Sequence, residues 1–346
     1  MSADRSVAPS ADAPISFATS GSTGAPVHWL RTARQLRAEV MLVSEVAFGA
    51  VERVVCFAPP EHLFGRLFGR ELPAWQGIPV LDAWREPTTP PHIEPGLRTL
   101  FVCVPASWPL LRAMAARIAE LPGAIALHGT GPVPPAAHQA VAALADADFR
   151  AVEIFGSTET GGIAVRDLAV EPHPWTLLPD VTLLPAEGGS DSAARLLRVR
   201  SPRLARRADL AEFPDSWECA DLIRQVDHRH FHFLGRSSRL VKVNGIRCDL
   251  DQVERAVTAR FPAIDAVAVP VTDATRGEHY ELYYATTAGT VDAVDAAGIA
   301  RAVAEWGTGL PVPRRVHRVR AIPRTATGKI SIDRLGPDIA AGTDLD

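Results

Sequence analysis

Apolar positions follow two alternating rhythms in the first half of the chain. Short, mostly apolar runs at 54–58, 78–81, 100–104, 124–127 and 152–155, each bounded by polar, Gly or Pro positions, predict buried strands. Between them apolar residues recur at helical spacing, at 110–120 and 135–145. The same spacing runs through Leu30, Ala33, Leu36, Val40, Val43 and Ala47 and predicts a helix starting at Val27. Strands alternating with helices imply a parallel, layered α/β core, because parallel neighbours need a crossover long enough to hold a helix. Beyond Thr160 the rhythm shortens to strands separated by turns, at 182–184, 196–201 and 222–225, predicting a smaller β subdomain. The polar kink Gly235-Arg236-Ser237-Ser238 precedes an apolar stretch at 240–243, a helix at 251–261, an edge strand near 266–270, a strand at 280–286 and a helix at 294–306. The pattern therefore divides the chain into a leader at 1–14, a core domain at 15–236 and a small α+β domain at 237–346.

Composition narrows the function classes. With 47% hydrophobic residues in 346, the chain can bury two cores. A net charge of −4 with interspersed signs argues against a nucleic-acid or anionic-membrane partner, either of which calls for a concentrated basic face. Cys56, Cys103, Cys219 and Cys248 are widely separated and form no C-x-x-C pair, so free thiols in a reducing cytosol are expected. The first sixteen residues lack a continuous apolar core, so neither a signal peptide nor a membrane span is expected there. The expected location is the cytoplasm.

Four phrases carry the candidate chemistry. Thr19-Ser20-Gly21-Ser22-Thr23-Gly24-Ala25-Pro26 is rich in hydroxyls and glycine, which lets backbone N–H groups and hydroxyls converge on phosphate oxygens. Phe155-Gly156-Ser157-Thr158-Glu159-Thr160 offers a carboxylate that a hard divalent cation prefers. Gly235-Arg236 follows, and Pro323-Arg324-Thr325-Ala326-Thr327-Gly328-Lys329 ends on a cation in a glycine-bearing loop.

In this order the phrases resemble the adenylate-forming superfamily, which includes acyl- and aryl-CoA ligases, peptide-synthetase adenylation domains and luciferases. The resemblance covers Phe17 to about Leu335 and implies an amino-terminally shortened α/β adenylation core with a β subdomain and a mobile carboxy-terminal domain. It implies ATP and Mg²⁺ as cofactors. Ser20, Ser22, Thr23 and the backbone of Gly21 and Gly24 would hold the β- and γ-phosphates, Phe155 would stack on the adenine, and Thr19, Gly156 and Ser157 would belong to the same nucleotide site. Thr158 would touch the acyl phosphate, and Glu159 would coordinate the metal. Gly129, Thr130 and Gly131 would line the adenine and acyl pockets, Asp221 would grip the ribose hydroxyls, and Arg236 would contact ribose or phosphate near the hinge. His62, in a His-x-aromatic-Gly phrase, would face the acid, while Gly245 and Arg247 would border the thiol tunnel. Lys329 would bridge the carboxylate and the α-phosphate.

The chain also departs from the family pattern. Val27 stands where a lysine is usual, with His28 next, Ala220 precedes Asp221 where glycine is usual, and Ser238 takes the hinge slot. Relatives carry a long segment before the phosphate loop. Either this core closes its sheet differently, or a second copy or partner subunit supplies the wall. The resemblance implies ATP-dependent activation of a carboxylic acid, preferably an aromatic one such as 4-hydroxybenzoate. The acyl group would pass to the phosphopantetheine thiol of CoA or an acyl carrier protein. The competing expectations are a member that binds nucleotide or carrier protein without turnover, and a subunit active only with a partner. His228-Arg229-His230-Phe231-His232 sets three histidines on one strand face, but without a second ligand cluster the run reads as ordinary strand rather than a metal site.

Overall fold

The computed structural model describes residues 14–20, 26–168, 173–185, 194–243, 246–273, 277–286, 294–306, 310–325, 330–332, 335 and 343–344. The chain divides into two compact units, one of Met1–Cys219 with Ile223–Phe233 and one of Ala220–Leu222 with Leu234–Asp346.

The first unit opens on a hairpin of β1 (Pro14–Ser20) and β2 (Pro26–Thr32), whose register sets Phe17 opposite Trp29 and Ser20 opposite Pro26. This corrects the helix expected from Val27: residues 26–32 are strand, and helix α1 is Ala33–Val43. Thr32 decides the boundary. Its Oγ1 accepts from the Gln35 N–H at 3.1 Å while Gln35 Oε1 accepts from the Thr32 N–H at 3.0 Å, a capping box that fixes where the helix begins. The helical spacing is genuine for Leu36, Val40 and Val43, all fully buried, and coincidental for Leu30.

The strands that follow are β3 (Arg53–Cys56), β4 (Val80–Leu81), β5 (Thr99–Cys103), β6 (Ala124–His128), β7 (Phe149–Ser157), β8 (Gly161–Asp167), β9 (Trp175–Leu177), β10 (Thr182–Leu183), β11 (Arg195–Arg200), β12 (Arg206–Arg207), β13 (Trp217–Gln225) and β14 (His230–Arg236), of which Ala220–Leu222 in β13 and residues 234–236 in β14 belong to the second unit. An eleven-stranded sheet runs β10-β11-β13-β14-β9-β8-β7-β6-β5-β3-β4, and β12 joins the opening hairpin beside β2. From β4 to β7 the pairing is parallel, and β3, β5 and β6 are buried along their length, as expected of strands covered on both faces. Helix Pro135–Ala143 makes the crossover from β6 to β7. The single helix expected at 110–120 is two, Trp108–Ala113 and Ala115–Ile118. The Met114 N–H bonds both Leu110 O and Leu111 O, tightening the turn between them. Pairing turns antiparallel at β7 and β8, which places a tight connection at the end of the parallel block.

The second unit holds a hairpin of β15 (Leu240–Val243) and β16 (Ile246–Asp249), and a four-stranded sheet of β17 (Ile264–Asp273), β18 (Gly277–Thr286), β19 (Arg315–Arg318) and β20 (Thr343–Asp344) in that order. Helices Leu250–Arg260 and Ala296–Ala304 bury Val253, Val257, Ile299 and Val303 with Leu282 and Val316 of the sheet. A second cluster gathers Val267, Ala285, Val319, Ile322 and Leu335. The adenylation-type α/β architecture expected from the sequence is therefore present, with a separate small α+β unit.

Candidate active site

The sharpest local geometry lies where β7 turns into β8. Ser157 and Thr160 close the turn reciprocally: the Ser157 N–H donates to Thr160 Oγ1 at 3.1 Å, and the Thr160 N–H donates to Ser157 Oγ at 3.3 Å. Thr158 and Glu159 are left at the tip, both half-buried. The approach of the two strands requires glycine. A Cβ on Gly156 would lie 2.1 Å from Gly161 O, and Gly161, at φ +71°, would bring one to 2.4 Å from Glu39 Oε2. The register shift between Phe155 and Gly156 re-aims the tip relative to the strand.

Residues remote in sequence hold this turn. Arg31 Nε donates to Thr158 O at 3.3 Å, the Ala205 N–H donates to Glu159 O at 2.7 Å, and Glu39 Oε1 accepts from the Gly162 N–H at 2.7 Å. Arg203 Nη2 donates to Gly162 O and to Asp180 Oδ1, each at 2.8 Å. Arg31, Glu39 and Arg203 escaped the sequence reading. Their signal was a charged residue, Glu39, on the apolar face of α1 beside Leu36, Val40 and Val43.

A second loop follows β6. His128 Nδ1 accepts from Trp108 Nε1 at 2.9 Å, which makes Nε2 the protonated nitrogen that donates to Gly131 O at 3.0 Å. Burial pushes the imidazole down to about 4, so it is neutral at physiological pH. Gly129 and Gly131 are packed closely: added Cβ atoms would meet Phe64 at 2.9 Å and Pro105 at 3.1 Å, and Thr130 between them sits at φ 75°. Phe64 thus joins the His62 phrase to the 129–131 loop. His62 itself is exposed, just ahead of the helical turn Leu63–Arg66. Phe155 packs among Trp175, Phe231 and Phe233 at centroid distances of 5.1, 5.8 and 5.5 Å.

The opening hairpin ties both ends of the hydroxyl-rich loop. Thr19 Oγ1 accepts from Trp29 Nε1 at 3.1 Å and faces Val27 across the ladder, while His28 Nδ1 lies 3.2 Å from Ser16 Oγ. Gly21, Ser22, Thr23 and Gly24 lie outside the described residues, as do Gly245, Lys329 and the side chains of Ser20, Ser238 and Arg247.

In the second unit, Asp221 and Arg236 meet each other. Arg236 Nε donates to Asp221 Oδ1 at 3.0 Å, with the carboxylate largely buried and the guanidinium mostly exposed. Gly235, at φ +124°, lets the chain pass Asp249, whose carboxylate would lie 3.0 Å from an added Cβ.

All four cysteines are buried and none is in a disulfide. Burial raises the Cys56 thiol to about 12 and Cys248 to about 11 and lifts Cys103 further, so these three are not nucleophiles at neutral pH. Among the described residues no group of three or more His, Cys, Asp or Glu could hold a metal by itself, and His230 is engaged by Asp227 at 2.9 Å. A site built on one carboxylate plus phosphate oxygens remains compatible with Mg²⁺, which keeps water and substrate oxygens as ligands. The Glu159 carboxylate fits that role: among the described residues it is engaged in no hydrogen bond or ion pair.

The parallel block, the antiparallel switch and the glycine-bound Thr-Glu turn define an adenylate-forming α/β fold. The sequence pattern of AMP-binding enzymes matches residues 4–185, and the chain belongs to that family. It is 28% identical over 323 residues to the 4-coumarate–CoA ligase of Rhodobacter capsulatus, covering 90% of this chain and 73% of that protein. It is also 28% identical over 256 residues to the 4-coumarate–CoA ligase of Halorhodospira halophila, covering 74% of this chain but only 59% of that protein. The ATP-bound MatB structure from Rhodopseudomonas palustris superposes with a TM-score of 0.73 at 18% identity, covering 92% of this chain and 67% of that one.

Proposed function

We propose that this chain activates a carboxylic acid with ATP and transfers the acyl group to a phosphopantetheine thiol, of CoA or of an acyl carrier protein, as an AMP-forming ligase of the reducing cytoplasm. A carboxylate oxygen attacks the α-phosphorus, the bond from that phosphorus to the bridging oxygen breaks, and pyrophosphate leaves. The thiol sulfur then attacks the acyl carbon, AMP leaves, and the thiol proton passes to solvent. Positioning and charge stabilisation carry most of such a barrier, so the protein's part is geometric and electrostatic.

The observation that carries this reading is the Ser157–Thr160 turn, which presents the Glu159 carboxylate half-buried, with no hydrogen bond or ion pair to it among the described residues. A bound Mg²⁺ would neutralise charge on the leaving pyrophosphate. Thr158 would bond the acyl phosphate, the hydroxyls and amides of 19–24 would hold the β- and γ-phosphates, and Lys329 would bridge the carboxylate and α-phosphate. The aromatic preference, with 4-hydroxybenzoate as its example, rests on the names of the relatives and on the Phe64-lined, glycine-rich 129–131 loop.

The test is acid-dependent ATP–pyrophosphate exchange against a panel of aromatic, short-chain and long-chain acids, with Lys329→Ala alongside. Exchange with an aromatic acid, reduced at least about a hundredfold in the variant, is expected. ATP binding without exchange for any acid would favour a nucleotide-binding member without turnover, the reading that Val27 at the usual lysine position supports. Exchange that appears only on adding a partner protein would favour the partner-dependent subunit.

A further inference from the structure

Three charged side chains are buried together behind the Thr158–Glu159 tip. Arg31, Glu39 and Arg203 are each at most 1% exposed. Arg31 Nη1 donates to Glu39 Oε2 at 2.9 Å, and Arg203 Nη1 lies 3.3 Å from the same oxygen. Arg203 is forked onto Asp180, with its Nε on Oδ2 at 2.7 Å and its Nη2 on Oδ1 at 2.8 Å. Desolvation pushes the Arg31 guanidinium below its ordinary value, with Glu39 opposing and the like charge of Arg203 adding to the drop. Among the described residues Arg31 Nη2 and Arg203 Nη1 find no hydrogen-bond partner.

Such a cluster is a poor way to gain stability. Desolvating an ion pair offsets most of its attraction, and well-packed apolar residues in its place are often as stable or more so. What the cluster does provide is direction. Among the described residues, its groups that bond the backbone of the neighbouring turn and strand do so at Thr158, on the tip, and at both polar atoms of Gly162, at the start of β8. Arg31 alone spans from the Glu39 carboxylate to the carbonyl next to Glu159. Its planar fork can make both contacts at once; an ammonium is a single point charge.

We propose that Arg31 is a positioning residue for the Glu159 carboxylate, and through it for the divalent cation of the nucleotide, with Glu39 and Arg203 fixing the plane of its guanidinium. The inference rests on the ligase reading for the identity of the nucleotide-bound cation. Its primary test does not depend on turnover.

Mn²⁺ serves as the probe, its affinity for the protein–ATP complex followed by electron paramagnetic resonance in wild type, Arg31→Lys and Glu39→Gln. Arg31→Lys keeps the charge and loses the fork. Glu39→Gln keeps an acceptor for the Gly162 N–H and loses the charge that orients Arg31. Both are expected to weaken Mn²⁺ binding about tenfold, the usual effect of removing a group that orients a metal ligand. ATP affinity measured in EDTA should stay within about twofold of wild type, and the Mg²⁺ concentration for half-maximal exchange should rise in parallel. A merely structural role would lower the folded fraction and leave the Mn²⁺ affinity of the folded protein unchanged. Wild-type Mn²⁺ affinity in Arg31→Lys overturns the inference, as does failure of both variants to fold, which would assign the cluster to stability. If wild type binds Mn²⁺–ATP but exchanges with no acid, the ligase reading fails and the positioning role stands. If wild type exchanges and the variants bind Mn²⁺ normally, the positioning role alone fails.

Discussion

His128 shows how a buried polar residue can do structural work that composition does not announce. It ends an otherwise apolar strand, and its two ring nitrogens are both used, one accepting from Trp108 and one donating to Gly131 O. Only the neutral imidazole can do both, so protonation breaks the bond from Trp108. The folded value of about 4 lies below the ordinary 6.5. The unfolded chain therefore binds the extra proton first as pH falls. The stability associated with neutral His128 is complete above about 6.5, declines between 6.5 and 4, and is lost below 4; the gap corresponds to roughly 3 kcal/mol. We expect the difference in thermal midpoint between wild type and His128→Gln to shrink steadily from pH 7 to pH 4. A difference that stays constant across that window would show that His128 does not titrate with folding. In the sequence only the adjoining Gly129-Thr130-Gly131 pointed to this place, because the histidine's partners, Trp108 and Gly131 O, meet it through the β5–β6 crossover and the loop's own turn.

At the scale of elements, periodicity located most strands and helices but not where α1 begins. The apolar face through Leu36, Val40 and Val43 was readable; the start was not, because strand pairing with β1 claims Pro26–Thr32 first. The local signal was Thr32-x-x-Gln35, a capping box weaker than the apolar stripe that ran through it. Its removal gives a measurable effect. Thr32→Ala leaves the Gln35 N–H without its side-chain acceptor and should cost about 1 kcal/mol, with Thr32→Ser restoring most of it. In a unit of this size the midpoint should fall by about 2–4 °C. A midpoint unchanged in Thr32→Ala would mean that the hairpin alone fixes the start of α1. The Thr158–Glu159 turn was legible as a motif, since its glycines and hydroxyls are local. The buried arginines behind it were not, because Arg203 reaches Glu39 and Gly162 from a loop far along the chain, and sequence spacing carries no record of that approach.

For the whole molecule, the kink at 235–238 is where the sequence pattern places the start of a small α+β domain, and the two larger clusters of buried side chains lie in different compact units. One gathers α1 and the parallel block around Leu36, Val54, Phe101 and Leu127; the other gathers Val253, Leu282, Ile299 and Val316. A buried side chain stabilises the core it belongs to, so substitutions in the two sets should be separable. Leu36→Ala and Ile299→Ala each empty a site that is fully buried, and each should cost about 2–5 kcal/mol. In a calorimetric scan we expect two transitions, with Leu36→Ala lowering one and leaving the other in place, and Ile299→Ala doing the reverse. A single transition lowered equally by both substitutions would mean that the two cores unfold as one cooperative body.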